Sequence, residues 1–180
     1  MNYELPEMDY ALCIMDYKLY LMELVIKSGE VLADIGSAGW LEQELHPELD
    51  RHRRHQMADI CEPDNAERVW RVLGLSVAEV RVALLKVLRP QPTYLLDNEL
   101  THPAEWTFSF STSLDDDTLL LLKEKIHEYL VASVMADRCA VIIPTAAAIW
   151  QSRASTAIAT LRETAVSCGL GRARRPLWPV

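Results

Sequence analysis

Glycine is scarce in this chain, with six in 180 residues. The closest pairs, Gly36 with Gly39 and Gly169 with Gly171, do not build the glycine-rich loop whose backbone N–H groups cradle a phosphate. Four cysteines, Cys13, Cys61, Cys139 and Cys168, are far apart and form no CxxC pair. That spacing excludes the common zinc and dithiol motifs; Cys13, Cys139 and Cys168 lie in apolar helical patterns and read as small buried hydrophobes in a reducing compartment. Neither Ser37 nor Ser76 lies in a GxSxG elbow. The first residues lack the basic start and apolar run of a secretory signal. The longest uncharged run, 139–152, contains Pro144 and falls short of the roughly 20 apolar residues that span a bilayer. Basic charge is also in deficit: the formal net charge is -8, against a direct nucleic-acid binder, which needs a basic face to neutralise phosphates. The expectation is a cytoplasmic protein that enters no membrane.

Hydrophobic residues make up 50% and charged residues 24%, so the chain is ordinary globular material and not a disordered one. At this length folding removes about 70% of the extended-chain surface, enough for a core without staples. The fold class read from the pattern is mainly α: a helical bundle with a long C-terminal two-helix hairpin and a small β-hairpin insertion. Four segments are expected: an N-terminal helical region at 1–89, a linker with the β-hairpin at 90–112, the helical hairpin at 113–168, and a basic tail at 169–180. Together they make one domain plus the tail.

Residues 16–28 read as a helix with Tyr17, Leu21, Leu24 and Val25 on one face and Gly29 as its left-handed cap. Gly36, Ser37, Ala38 and Gly39 read as a turn, followed by a short helix at 40–45. Residues 48–60 form a polar helix. Asp64 or Asn65 caps a helix containing Val69, Trp70 and Leu73 and closed by Gly74. Ser76 and Glu79 then make a capping box for a further helix with Val77, Val80, Leu84 and Val87 or Leu88 inside. After Pro90 and Pro92, residues 93–96 and 106–111 look extended, and the second alternates aromatic and hydroxyl side chains. They would form the hairpin across Thr101, His102 and Pro103. Two strands alone are marginal and must pack on helices or pair with another chain.

The C-terminal hairpin is the best-specified element. Ser113 starts it with Asp116 at the capping-box position, and Asp115 and Asp117 favour the positive helix end. Leu119, Leu122, Ile126, Tyr129, Ser133, Ala136, Ala140 and Ile143 follow a 3,4 spacing on one stripe. Pro144 suits the first position of a second helix. That helix carries Ala147, Trp150, Ala154, Ala157 or Ile158, Leu161 and Ala165 inward and ends at Cys168 and Gly169. The run Leu119, Leu120, Leu121 and Leu122 points all round the helix, so the hairpin needs partners on more than one side.

Candidate sites are sparse. Glu124 and His127 form an ExxH pair, the spacing used in di-iron bundles, but no second ExxH occurs and a solvated pair flanking the core stripe accounts for both. His46, His52 and His55, with Cys61 nearby, are interleaved with Arg51, Arg53 and Arg54, which would repel a cation. That cluster suits a surface helix, or contact with an acidic partner. The aspartates at 115, 116 and 117 are explained by the helix start. The tail brings Arg172, Arg174, Arg175 and Trp178 together with two prolines, residue types over-represented at binding hot spots. No catalytic residue and no cofactor is assigned.

The order of features in residues 93–180, an acidic-capped helix, a Pro144-started helix carrying Trp150 and a basic tail at Arg174, Arg175 and Pro176, resembles the small helical head–tail connector or head-completion proteins of tailed bacteriophages and prophages. The resemblance lies in that order of features. It implies a virion component, a helical core that forms rings, arms that contact neighbouring subunits, and no catalytic residues. The residue-level reading points the same way: a non-enzymatic structural or assembly protein, acting as a homo-oligomer or on a protein partner through Leu119–Leu122 and the Arg172–Trp178 tail. Two other readings compete with it, a metal-binding bundle using Glu124 and His127, and a regulatory module using the tail as a recognition peptide.

Overall fold

The computed structural model describes residues 22–89, 102–111 and 114–170. The elements in chain order are β1 (Met22–Lys27), α1 (Ser28–Leu45), α2 (Arg51–Ala58), α3 (Pro63–Ala83), β2 (Glu105–Phe110), α4 (Asp116–Ile142) and α5 (Pro144–Leu170). The fold is mainly helical, with a two-stranded antiparallel sheet and a C-terminal helix pair packed along its length. No described helix is long and apolar enough to cross a membrane.

The helical hairpin forms as its capping and spacing dictate. Asp115, not Ser113, is the N-cap: its Oδ1 accepts from the Thr118 backbone N–H at 2.7 Å, which holds the Asp115 carboxyl below its ordinary range. Ser113 itself lies outside the described residues. A single non-helical residue, Ile143, separates α4 from α5, and Pro144 opens α5, where a missing N–H costs nothing. On the stripe, Leu122, Ile126, Tyr129 and Ile143 are buried. Leu130, Val134, Met135, Cys139 and Ile142 are buried as well, so α4 is covered on more than one side, by α5 and by α1 and α3. From α5, Trp150, Ala157, Ile158, Leu161 and Ala165 join the same continuous core.

Four expectations change. Residues 22–27 are a strand where a helix was expected, and α1 begins at Ser28; residues 16–21 lie outside the described part. Alternation explains it, because Leu24 and Ile26 are buried while Glu23 and Lys27 are exposed, a period of two. Gly29 therefore sits in a first turn and caps nothing. Gly36 to Gly39 form no turn and lie inside α1. Gly39 is there for contact: a Cβ on it would stand 2.5 Å from the Met57 carbonyl oxygen of α2.

Third, α3 runs through Gly74, Leu75 and Ser76 as one helix. Val69, Leu73, Val77, Val80 and Leu84 form a single buried stripe across that glycine, and the gain from burying them outweighs its roughly 1 kcal/mol propensity penalty. Ser76 is a buried side chain in that helix and no cap, while Glu62 is the N-cap residue, with Pro63 in the first turn. Fourth, β2 takes β1 as its antiparallel partner: Met22 pairs with Phe110, Leu24 with Phe108 and Ile26 with Trp106. The expected strand at 93–96 lies outside the described residues. Leu88 bridges Phe110 on the other side of β2, with Arg89 N–H to Ser109 O at 2.9 Å and Ser111 N–H to Val87 O at 2.8 Å.

The two glycines of α1 make opposite predictions. Gly36→Ala meets nothing within 4 Å and should stabilise the chain by about 0.5–1 kcal/mol through helix propensity. Gly39→Ala drives a methyl into the Met57 carbonyl and should destabilise it by about 1–3 kcal/mol. Urea unfolding of both variants checks the pair.

Candidate interaction surface

Several polar side chains between the helices bond to groups on neighbouring helices, while the buried Arg138 Nε and Trp106 Nε1 have no hydrogen-bond partner among the described residues. Arg68 on α3 donates from Nε and Nη2 to the two carboxylate oxygens of Asp137 on α4, at 2.7 and 3.0 Å. That fork raises the Arg68 pKa further. The next residue, Arg138, donates to the Gln56 carbonyl at 3.1 Å and to Asn65 Oδ1 at 2.9 Å, joining the end of α2 and the start of α3 to α4. Burial lowers its pKa, with the Arg68 charge adding to the effect. Tyr129 donates its hydroxyl to Glu79, and Trp150 donates Nε1–H to Glu42 Oε1 at 2.7 Å.

The candidate metal ligands are not gathered into a site. His127 Nε2 lies 2.7 Å from Asp34 on α1, and Glu124 is exposed. His46 faces Glu42 and Glu48, His52 faces Gln56, and His55 faces Asp59. Cys61 directs its thiol to the Leu32 carbonyl, and burial pushes its pKa up. Among the described residues no group of three or more His, Cys, Asp or Glu side chains is placed to hold a metal ion. Arg172, Arg174, Arg175 and Trp178 lie outside the described residues.

The leucine run divides. Leu122 is buried in the core and Leu119 is half-buried, whereas Leu120 is 57% exposed and Leu121 is 37% exposed. Leu119 and Leu120, with Lys123, form one wall of a groove of about 410 Å³ whose other wall is Glu23, Leu24 and Val25 of β1. Along that groove β1 is an edge strand, since the sheet holds β1 and β2 alone among the described strands. A second apolar surface runs along α3 and its following turn. Leu75, Val82 and Leu85 are 65%, 70% and 71% exposed and, with exposed Ala78, are spaced three, four and three apart.

Both surfaces have a sequence signal. The 75–85 spacing emerges once α3 is read through Gly74, and the β1 edge emerges once 22–27 is read at period two. The cross-ties from Arg68, Arg138, Tyr129 and Trp150 join residues 50 to 108 positions apart and carry none.

Two protonation equilibria inside the core give a pH prediction. Burial, then Glu79, pushes the Tyr129 hydroxyl to about 12; burial, then Glu42, pushes the Cys139 thiol to about 12. Both groups are favoured neutral in the fold, so their contribution is intact below the unfolded values of 9 and 10 and is lost as pH rises toward 12. Melting temperature should therefore fall between pH 9 and 12, and Tyr129→Phe should flatten the upper part of that fall. Thermal melts across the range test this, and an unchanged slope in the variant would contradict it. No family model, no curated protein and no solved structure matches the chain.

Proposed function

We propose that this chain is a non-catalytic assembly protein that works by associating with copies of itself or by docking a protein partner. The observation that carries the reading is the apolar surface left uncovered on the described residues. Three large side chains along α3 and the turn after it, Leu75, Val82 and Leu85, stand in water at helix-repeat spacing, and Leu120 and Leu121 do so beside an open sheet edge. Scattered exposed leucines are ordinary, but grouped ones at the spacing of a packing stripe are what a helix presents to another element. The polar groups between the helices support the same reading, because their geometry ties helices together: a forked Arg68–Asp137 pair, and tyrosine and tryptophan donors locked to carboxylates.

The connector-type arrangement resembled by residues 93–180 is one form such assembly takes. The helical hairpin turning at Ile143 and Pro144 supports it, and capsid or tail genes beside this one would support it further.

Light scattering coupled to size-exclusion chromatography tests the reading. The expected result is a mass above that of one chain within the micromolar range, reduced when Val82 and Leu85 are both changed to lysine if the α3 stripe is the contact. A protein that stays monomeric, and from whose surface the double substitution removes no partner binding, would sink it.

A further inference from the structure

We infer that the open edge of β1 pairs with the β1 edge of a second copy of this chain, antiparallel about a two-fold axis at Val25. This rests on the self-association reading above and names the surface that performs it.

The hydrogen-bond parity of the strand sets the geometry. Antiparallel pairing direct from Met22↔Phe110 to Lys27↔Glu105 continues to Ser28 and Ala104, where the Ser28 N–H donates to the Ala104 carbonyl at 3.0 Å. Residues of even number in β1 therefore turn their backbone groups toward β2. The odd residues, Glu23, Val25 and Lys27, turn theirs the other way, and Glu23 and Val25 line the groove walled by Leu119, Leu120 and Lys123. On β2 the same parity holds: Ser109 and Ser111 bond outward to Arg89 and Val87. Among the described residues nothing bonds to the outward groups of β1, and unpaired edge groups are a template for another strand.

The side chains then select the occupant. Centre an antiparallel copy on Val25, and Glu23 faces the partner's Lys27 while Lys27 faces the partner's Glu23. These are the odd residues whose N–H and C=O groups point outward, so each opposed pair, like the central Val25 pair, exchanges both of its backbone bonds. On the inner side of the sheet Leu24 falls opposite the partner's Ile26, extending the buried stripe that both already form against the helices. Glu23 and Lys27 are exposed and only loosely engaged within the chain, Glu23 by Ser109 at 3.5 Å and Lys27 by Glu30 at 3.5 Å. A register moved by one residue either way would turn the wrong backbone groups inward, and one moved by two would set the charges out of line. Opposite charge, backbone parity and apolar facing thus agree on one arrangement with a second copy.

Sedimentation equilibrium of the full chain and four variants tests it. Wild type should dimerise. Val25→Pro deletes the central outward N–H, which β2 does not use, so it should raise the dimer dissociation constant at least about tenfold while the melting of the dilute monomer is preserved. Glu23→Lys and Lys27→Glu each oppose like charges across the two-fold and should weaken dimerisation roughly tenfold, and the double variant should recover it. If the proline variant does not fold, the charge variants, at exposed positions, carry the test. A dimer indifferent to all four variants overturns the edge pairing but leaves self-association standing, with the α3 stripe as its surface. Failure of the double variant to recover overturns the register. A strict monomer overturns both, and slow exchange of its Val25 amide would show that another segment of the same chain covers the edge.

Discussion

A helix buried on more than one side cannot be stable until other elements cover it, and α4 imposes that condition on the rest of this molecule. Leu122, Ile126 and Tyr129 need one neighbour, and Leu130, Val134, Cys139 and Ile142 need others. The one-residue break at Ile143 returns α5 along α4 at once, so one side is covered by the adjacent sequence. The remainder must come from α1 and α3, far away in the chain. The sheet is a consequence in turn: β1 leads directly into α1, β2 lies beside the end of α3, and their pairing holds those two helices in place over α4.

Polar chemistry in this arrangement is used for alignment. The Arg68–Asp137 fork and the Arg138 ties to Gln56 and Asn65 sit where α2, α3 and α4 meet, and each carries directional bonds that apolar packing lacks. Their pairs are partly open to solvent, so their net contribution to stability is small and their value is geometric. Tyr129 and Trp150 tie the hairpin to α3 and α1 in the same way, each placing an apolar ring in the core and a donor on a carboxylate.

What could be read from the sequence was what local physics determines. Proline at 144, acidic residues at the start of α4 and a 3,4 stripe of apolar side chains specify the helical hairpin without reference to anything distant. Phe108 and its alternating neighbours specify a strand. The errors came where a tertiary contact overrides a local rule. Gly39 signals a turn to anyone counting glycines, yet it is a contact point for the Met57 carbonyl inside a helix. Gly74 signals a stop, yet the buried stripe continues across it. Residues 22–27 carry apolar side chains at a spacing that suits either period, and only the presence of β2 decides between them. The two uncovered surfaces lay behind these errors, because a helix ended at Gly74 has no 75–85 stripe, and a helix at 22–27 has no edge.

The separation of β1 from β2 has a consequence for the order of folding. The hairpin of α4 and α5 closes across one residue, a contact of very low order, while joining Lys27 to Glu105 closes nearly half the chain. Loop-closure entropy delays such a contact until something else has brought the ends together, here the docking of α1 and α3 on α4. Contact order therefore favours condensation of the sheet after the helices have docked. An edge strand that forms only once the helices are seated is not offered by half-folded chains, so the open edge of β1 is withheld until the fold is complete.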